Sequence, residues 1–183
     1  AVTVEGVVTG DFQETRQLNG FFLQSTDSAA DNDPATSEGV FIYAPKLQTD
    51  VHPFDLVRVT GMVSTFTYTF TQLKEITDVR VCGRGAVTPT AVRLPVEDWS
   101  RYQAMLLHFP QTLVASDIYD LDRYGQIHLS WPGRLFAPTM IQEPGAAAVA
   151  QQQNDDQRYL YVDDGSNSQN PATIPYLHDG LLR

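Results

Sequence analysis

A mostly β chain is predicted, with a closed five-stranded barrel leading and a second β unit following. Three observations carry that expectation. Val2, Val4, Gly6 and Val8 alternate with Thr3, Glu5, Val7 and Thr9, a period of two that suits a half-buried strand. Short apolar runs at 20–24 and 39–43 flank an acidic, turn-rich loop, and FDLVRVTGMVS at 54–64 restarts a longer alternating strand after Pro53. RYGQIHLS at 123–130 and YLYVDD at 159–164 then repeat the order of the first half.

The elements follow in order. The first strand spans Val2 to about Phe12. Leu18, Asn19 and Gly20 supply a turn in which glycine can take positive φ, and Phe21 to Gln24 form the second strand. Residues 25–38 are a loop by composition, and Val40 to Tyr43 form the third strand. Residues 45–50 read as a connector or a single helical turn that Pro53 stops. In the fourth strand Val57, Val59 and Val63 share one face; Arg58, Thr60 and Met62 share the other, continued by Phe66, Tyr68 and Phe70 if the register holds past Gly61. Residues 72–81 return as the fifth strand. Five short strands in this order read as an OB-like barrel over 1–85.

Residues 86–95, with Gly85, Pro89 and Pro95 close by or within them, read as an extended linker. Over 96–183 the expected elements are a short helix near 96–102 opened by Glu97 and Asp98, a long strand over 104–119 bent at Pro110, and the two repeat-like strands. Nothing after Gly165 matches the last two strands of the first unit. The second unit is therefore expected to be an incomplete OB-like repeat whose open edge is covered by the tail or by a second copy in a homodimer.

The chain has 183 residues, 42% of them apolar, enough to fill the core of one medium domain or two small ones. Twenty-two acids against 12 bases give a net charge of −10, and the imbalance is even: residues 1–85 and 86–183 each hold 11 acids and 6 bases. Neither half is a basic clamp, so phosphate binding would need a local patch or a bridging cation. Cys82 is the only cysteine; an internal disulfide is impossible, and a half-buried strand end or a pairing outside this chain are its two readings. There is no apolar run of membrane-spanning length and no charged leader, and the chain starts directly in a strand, as a trimmed piece would.

VTVEGVVTGDFQ, LNGFFLQ, the loop ending ATSEGVFIY, and DLVRVTGMVS resemble the OB-like module of secreted bacterial nucleases, where it precedes a catalytic domain of the endonuclease/exonuclease/phosphatase superfamily. YDLDRYGQIHLS, GRLFAPT and VDDGSNSQNP resemble the region between that module and the nuclease. The resemblance implies a noncatalytic, extracellular accessory region that binds or positions nucleic acid, DNA ahead of RNA. Its partner would be a catalytic domain of the same protein lying after Arg183 and using a divalent metal. GDFQ at 10–13 is the decoy: that superfamily's catalytic Gly-Asp-Phe-Asn has Gln13 in place of its Asn here, and one Asp cannot supply two-metal phosphoryl chemistry. His52, His108, His128 and His178 are scattered without a nucleophile motif, so no catalytic residue is assigned.

The candidate nucleic-acid residues are Tyr43, with Phe41 as its alternative on the third strand, Phe66, Tyr68 and Phe70 for stacking, and Arg58 and Lys74 for charge. The same aromatics also suit a packing face, a protein-docking spacer or a sugar-binding module. Among the carboxylates, Asp31 and Asp33 in the acidic loop are the calcium candidates, ahead of Asp163 and Asp164 beside Gly165. Neither loop has the spacing of an EF-hand, and Asx turns explain both.

Overall fold

The computed structural model describes residues 1–183 except Asn32, Tyr68, Gly180 and Arg183, and only the backbone of Leu181 and Leu182. Two compact units are present: residues 1–91 with 98–108, and residues 92–97 with 109–183.

In the first unit β1 (Val2–Phe12), β2 (Gly20–Gln24), β3 (Gly39–Tyr43), β4 (Asp55–Phe66) and β5 (Phe70–Arg84) close in the order β1-β2-β3-β5-β4. All pairings are antiparallel except β3 with β5, where Phe41 faces Gln72 and Ile42 faces Leu73. That order, with its one parallel closure, is the OB-like barrel expected of the strand pattern. Its core is Val8, Phe21, Leu23, Ile42, Val51, Val57, Val59 and Leu73, all 2% exposed or less.

Two departures from simple alternation shape the barrel. The β1–β2 register jumps between Val8 and Gly10, so Thr9 is an extra residue. A bulge of this kind inverts the facing of everything beyond it: Val8 points into the core, whereas Gly10 and Phe12 lie on the outer side with Phe22. Val7 is buried as well, because the chain at Gly85 lies against it, tied by Gly85 N–H to Phe54 O at 2.8 Å. On β4, Val57 and Val59 are fully buried but Val63 is 56% exposed; Gly61 pairs with Val2 at the start of β1, and past it β4 keeps β5 but no β1 partner among the described residues. Val63 stands opposite the buried Leu73, but burial along the face expected for Val57, Val59 and Val63 stops at Gly61.

Asp55, 8% exposed, anchors the start of β4. Its carboxylate accepts from Arg84 Nη1 at 2.9 Å and from His52 N–H at 2.9 Å. Cys82 falls between the pairs Leu56–Gly83 and Val57–Val81, so it is the extra residue of a second bulge and is exposed, not half-buried.

The segment expected as one bent strand over 104–119 is two separate pieces. β7 (Leu107–His108) pairs in parallel with β6 (Thr90–Ala91) in the first unit, whereas β8 (Val114–Asp117) belongs to the second. Pro110 between them has no N–H to continue a ladder. The expected helix near 96–102 is a single 3-10 turn, Trp99–Tyr102, capped by Asp98, whose carboxylate accepts from Ser100 N–H at 2.9 Å. Residues 86–95 are not a free linker. Val92 and Leu94 are buried, and Gln111 holds both Leu94 N–H (2.7 Å) and Leu94 O (2.8 Å).

The second unit is built on a meander in the order β8, β9 (Gln126–Ser130), β10 (Tyr159–Asp163). Ile127 and Leu129 are buried on one face. The insertion between β9 and β10 carries helix α2 (Ala146–Asp156), which follows the single turn α1 (Leu121–Tyr124); in α2, AAAVAQQQ supplies strong helix formers. A three-strand meander is all that this unit shares with the barrel's first strands, and no closed second barrel forms among the described residues. Among them too, no helix is long and apolar enough to cross a membrane.

Tyr176 fastens the tail: its hydroxyl donates to Gly125 O, and burial, with Asp164 and Asp163 nearby, pushes its pKa up to about 12. A raised folded-state value means that its contribution is fully present below the ordinary value of 10.0 and is lost as the pH rises towards 12. Thermal melts across that window are expected to fall more steeply for the wild type than for Tyr176→Phe, which has no hydroxyl to ionise. Parallel curves would show that the hydroxyl contributes nothing.

Candidate ligand-binding face of the barrel

The register places two kinds of residue on the outer side of the barrel. Gly10 faces Phe22, Phe22 faces Phe41, Phe12 faces Gly20, and Gly20 faces Tyr43. Phe41 faces Gln72, so Phe70 and Lys74, two positions to either side, share that surface. The result is a ladder of rings crossing four strands. Phe12 meets Phe22 edge-on at 5.7 Å between centroids, Phe22 meets Phe41 at 5.0 Å, and Phe41 meets Phe70 at 6.4 Å. These separations and tilts are the favourable ones for aromatic pairs.

Glycine makes the ladder feasible at one point above all. A Cβ at Gly20 would stand 2.0 Å from Ile42 O and 2.8 Å from the Phe41 ring, so only glycine lets β2 and β3 approach with Phe41 lying over them.

Beyond the rings the face opens into a cavity of about 540 Å³ between residues 43–49 and the 74–79 stretch of β5. Tyr43, Lys46 and Lys74 line it. The cavity exists because β3 and β5 pair over only two residues before β5 bulges at 75–77, where Glu75 has φ 50°. Lys46 and Lys74 make no ion pair among the described residues, so both ammonium groups remain available to an anion.

Of the residues expected from sequence, Tyr43, Phe70 and Lys74 come together here, with Phe41. Phe66 and Phe70 lie on two strands joined by the hairpin turn and face each other across it, so they share a face as expected, with Phe66 59% exposed at its outer end. Tyr68 lies outside the described residues. Arg58 is committed elsewhere: its guanidinium binds Glu5 through two bonds of 3.0 and 2.8 Å across β1 and β4. Phe12 and Phe22 are the functional candidates that sequence reading missed. The alternation of GFFLQ places one of its two phenylalanines outside, which was a signal for Phe22; the bulge at Thr9 left none for Phe12.

The loop and turn carboxylates hold their own backbone. Asp31 Oδ1 accepts from Asp33 N–H at 2.7 Å, Asp33 Oδ1 accepts from Ala35 N–H at 2.9 Å, and Asp163 and Asp164 do the same for Gly165 and Ser166 at 2.7 and 2.8 Å. These are Asx turns. Among the described residues no three of His, Cys, Asp or Glu converge on one point. In GDFQ, Asp11 accepts from Gln13 N–H at 3.1 Å, with its carboxyl raised by burial against that bond, and the Gln13 side chain bonds Thr49 O and Val51 N–H at 3.1 and 3.0 Å. That segment is a strand end that ties down the connector before β4.

The chain that follows the barrel returns to frame this face. Gln103 donates to Thr69 O at 2.9 Å and accepts from Thr71 N–H at 3.4 Å; Ser37 Oγ donates to Gln103 O. Leu106 N–H donates to Gln24 Oε1 at 2.8 Å. Asp27, at the start of the acidic loop, accepts from Thr88 N–H and Thr88 Oγ1, and those bonds hold its carboxyl below the ordinary range. Fold and face together define an OB-like barrel with an aromatic outer surface. No family model, curated protein or solved structure matches this chain.

Proposed function

We propose that the barrel is a noncatalytic module that binds single-stranded nucleic acid, DNA ahead of RNA, and positions it for a nuclease domain within the same secreted protein. The observation that carries this reading is the ring ladder Phe12–Phe22–Phe41–Phe70 leading into the cavity flanked by Lys46 and Lys74. Barrels of this topology take extended polymers across β2 and β3, between the β1–β2 and β4–β5 loops. Aromatic faces accept any base, and each stacked base is worth about 1–3 kcal/mol, while Lys46 and Lys74 supply the local positive charge that steers the phosphate chain. The net charge of −10 sets the expected affinity low, and with two lysines as the phosphate contacts the slope of log affinity against log salt is expected to be about −1.4.

The test is fluorescence anisotropy of a labelled single-stranded DNA oligonucleotide at low salt, with and without calcium. Phe22→Ala combined with Phe70→Ala is expected to weaken binding by about 10-fold or more, from the stacking energy of one or two bases. Lys74→Glu, on an exposed side chain, is expected to weaken binding and to make the dependence of log affinity on log salt shallower by about 0.7 for each phosphate that the lysine neutralises. Affinity that appears only with calcium would point to a cation bridge at Asp31 and Asp33 or at Asp163 and Asp164. Failure of the wild type to bind under either condition would overturn the proposal in favour of a spacer that orients its neighbours.

A further inference from the structure

The second unit contains a cavity of its own, also of about 540 Å³, that the barrel's role does not use. Its floor is the face of the β8–β9–β10 sheet opposite Ile127 and Leu129. Asp117, His128 and Tyr161 stand in one register row across the three strands, with Tyr159 beside them. The rings form a compact group. His128 and Tyr159 lie parallel to within 9° at 5.9 Å, and Tyr161 stands on edge to both, 3.8 Å from His128 and 5.5 Å from Tyr159.

The walls are fixed in place. Ser116 Oγ accepts from Leu135 N–H at 2.8 Å, and Ser130 Oγ donates to Gly133 O at 2.8 Å, which pins the 133–136 segment over the sheet. That segment brings Phe136, with the Arg134 guanidinium 5.5 Å above its ring. On the other side helix α2 supplies Asp155, 4% exposed, whose Oδ1 accepts from Gln151 Nε2 at 2.9 Å and pairs with Arg158 Nη1 at 3.6 Å. Asp117 Oδ1 caps Tyr119 N–H at 2.8 Å, while its Oδ2 has no hydrogen-bond partner among the described residues. The burial that makes the ring floor partly dry also raises the Tyr159 hydroxyl above its ordinary value.

We propose that this cavity binds a neutral sugar ring, as one or two units of an oligosaccharide. Flat tyrosine and histidine faces suit the apolar C–H side of a pyranose, because the negative ring face attracts its weakly positive hydrogens. Vicinal hydroxyls both donate and accept, and the cavity offers an acceptor at Asp117 Oδ2 and donors at Arg134 within one small space. A volume of this size holds one or two rings. A phosphorylated ligand is disfavoured: Arg134 is the one arginine or lysine lining the cavity, the unpaired carboxylate of Asp117 lines it too, and the unit has 5 basic and 10 acidic residues.

The test applies the full chain to an array of neutral oligosaccharides, followed by titration of the retained glycan. Retention of at least one neutral glycan is expected. Its affinity should fall at least 10-fold in Tyr161→Ala, a change at a side chain 55% exposed, and by several-fold in Asp117→Asn, and should be unchanged in Phe22→Ala on the barrel. Circular dichroism confirms that each variant is folded, and Asp117→Asn, isosteric and exposed, carries the test if Tyr161→Ala is not. Three results would overturn the proposal: no glycan retained, a retained glycan indifferent to both second-unit variants, or binding of adenosine in place of every sugar.

Discussion

Phe21→Ala is expected to destabilise the barrel by about 3–5 kcal/mol, the usual cost of emptying a fully buried aromatic site. Phe21 is 0% exposed and sits among Val8, Ile42, Val57 and Val59, residues drawn from β1, β3 and β4. A closed barrel has little freedom to collapse around the void, because shifting one strand breaks the pairing of two neighbours. Urea unfolding measures it: the midpoint should drop with the slope unchanged. A loss below about 1 kcal/mol, far under the range for such a site, would mean that the ring is not at the centre of the core.

Gly20→Ala is expected to cost about 1–3 kcal/mol or more through overpacking. Here the obstacle is backbone: the added Cβ would lie 2.0 Å from Ile42 O, which cannot rotate away as a side chain can, and 2.8 Å from the Phe41 ring. The β2–β3 pair must open or Phe41 must leave its place in the ladder. The variant should therefore lose oligonucleotide affinity along with stability. Gly10→Ala is the control, since its Cβ would meet only the edges of the Phe12 and Phe22 rings, at 3.0 and 3.4 Å. Equal midpoints for the two variants by thermal melting would refute the steric argument.

Three consecutive residues, Gly20, Phe21 and Phe22, show how far the sequence could be read. Glycine at the start of the run marked the turn, and alternation showed that the two phenylalanines point apart. Which ring enters the core depends on the register with β1 and β3, which no local pattern contains. Phe12 lies further out of reach. Counting by twos from Val8 puts it inside, and the extra residue at Thr9 moves it outside. The same holds for the chain after the barrel: Gln24 meets Leu106 across 82 positions of sequence, and Ser37 meets Gln103 across 66. Strand limits were legible because glycines and prolines punctuate them locally. The aromatic face was legible in part: Tyr43 and Lys74 alternate from the buried Ile42 and Leu73, and Phe70 from the threonines of TFTYTFT. Helix α2 was hidden by composition, since a glutamine-rich stretch reads as polar filler when its length and alanine content are not weighed.

The division of the chain has a mechanical corollary. The polypeptide passes from one unit to the other between 91 and 92, again between 97 and 98, and a third time between 108 and 109. A cut after residue 91 is therefore not a cut between units, because residues 98–108 belong to the first. Removing everything after residue 91 would take away Gln103 and Leu106, and with them the bonds that brace the hairpin tip and the end of β2. A barrel cut at residue 91 would keep its staves and lose part of its hoop, so the shortest self-sufficient first unit runs through residue 108.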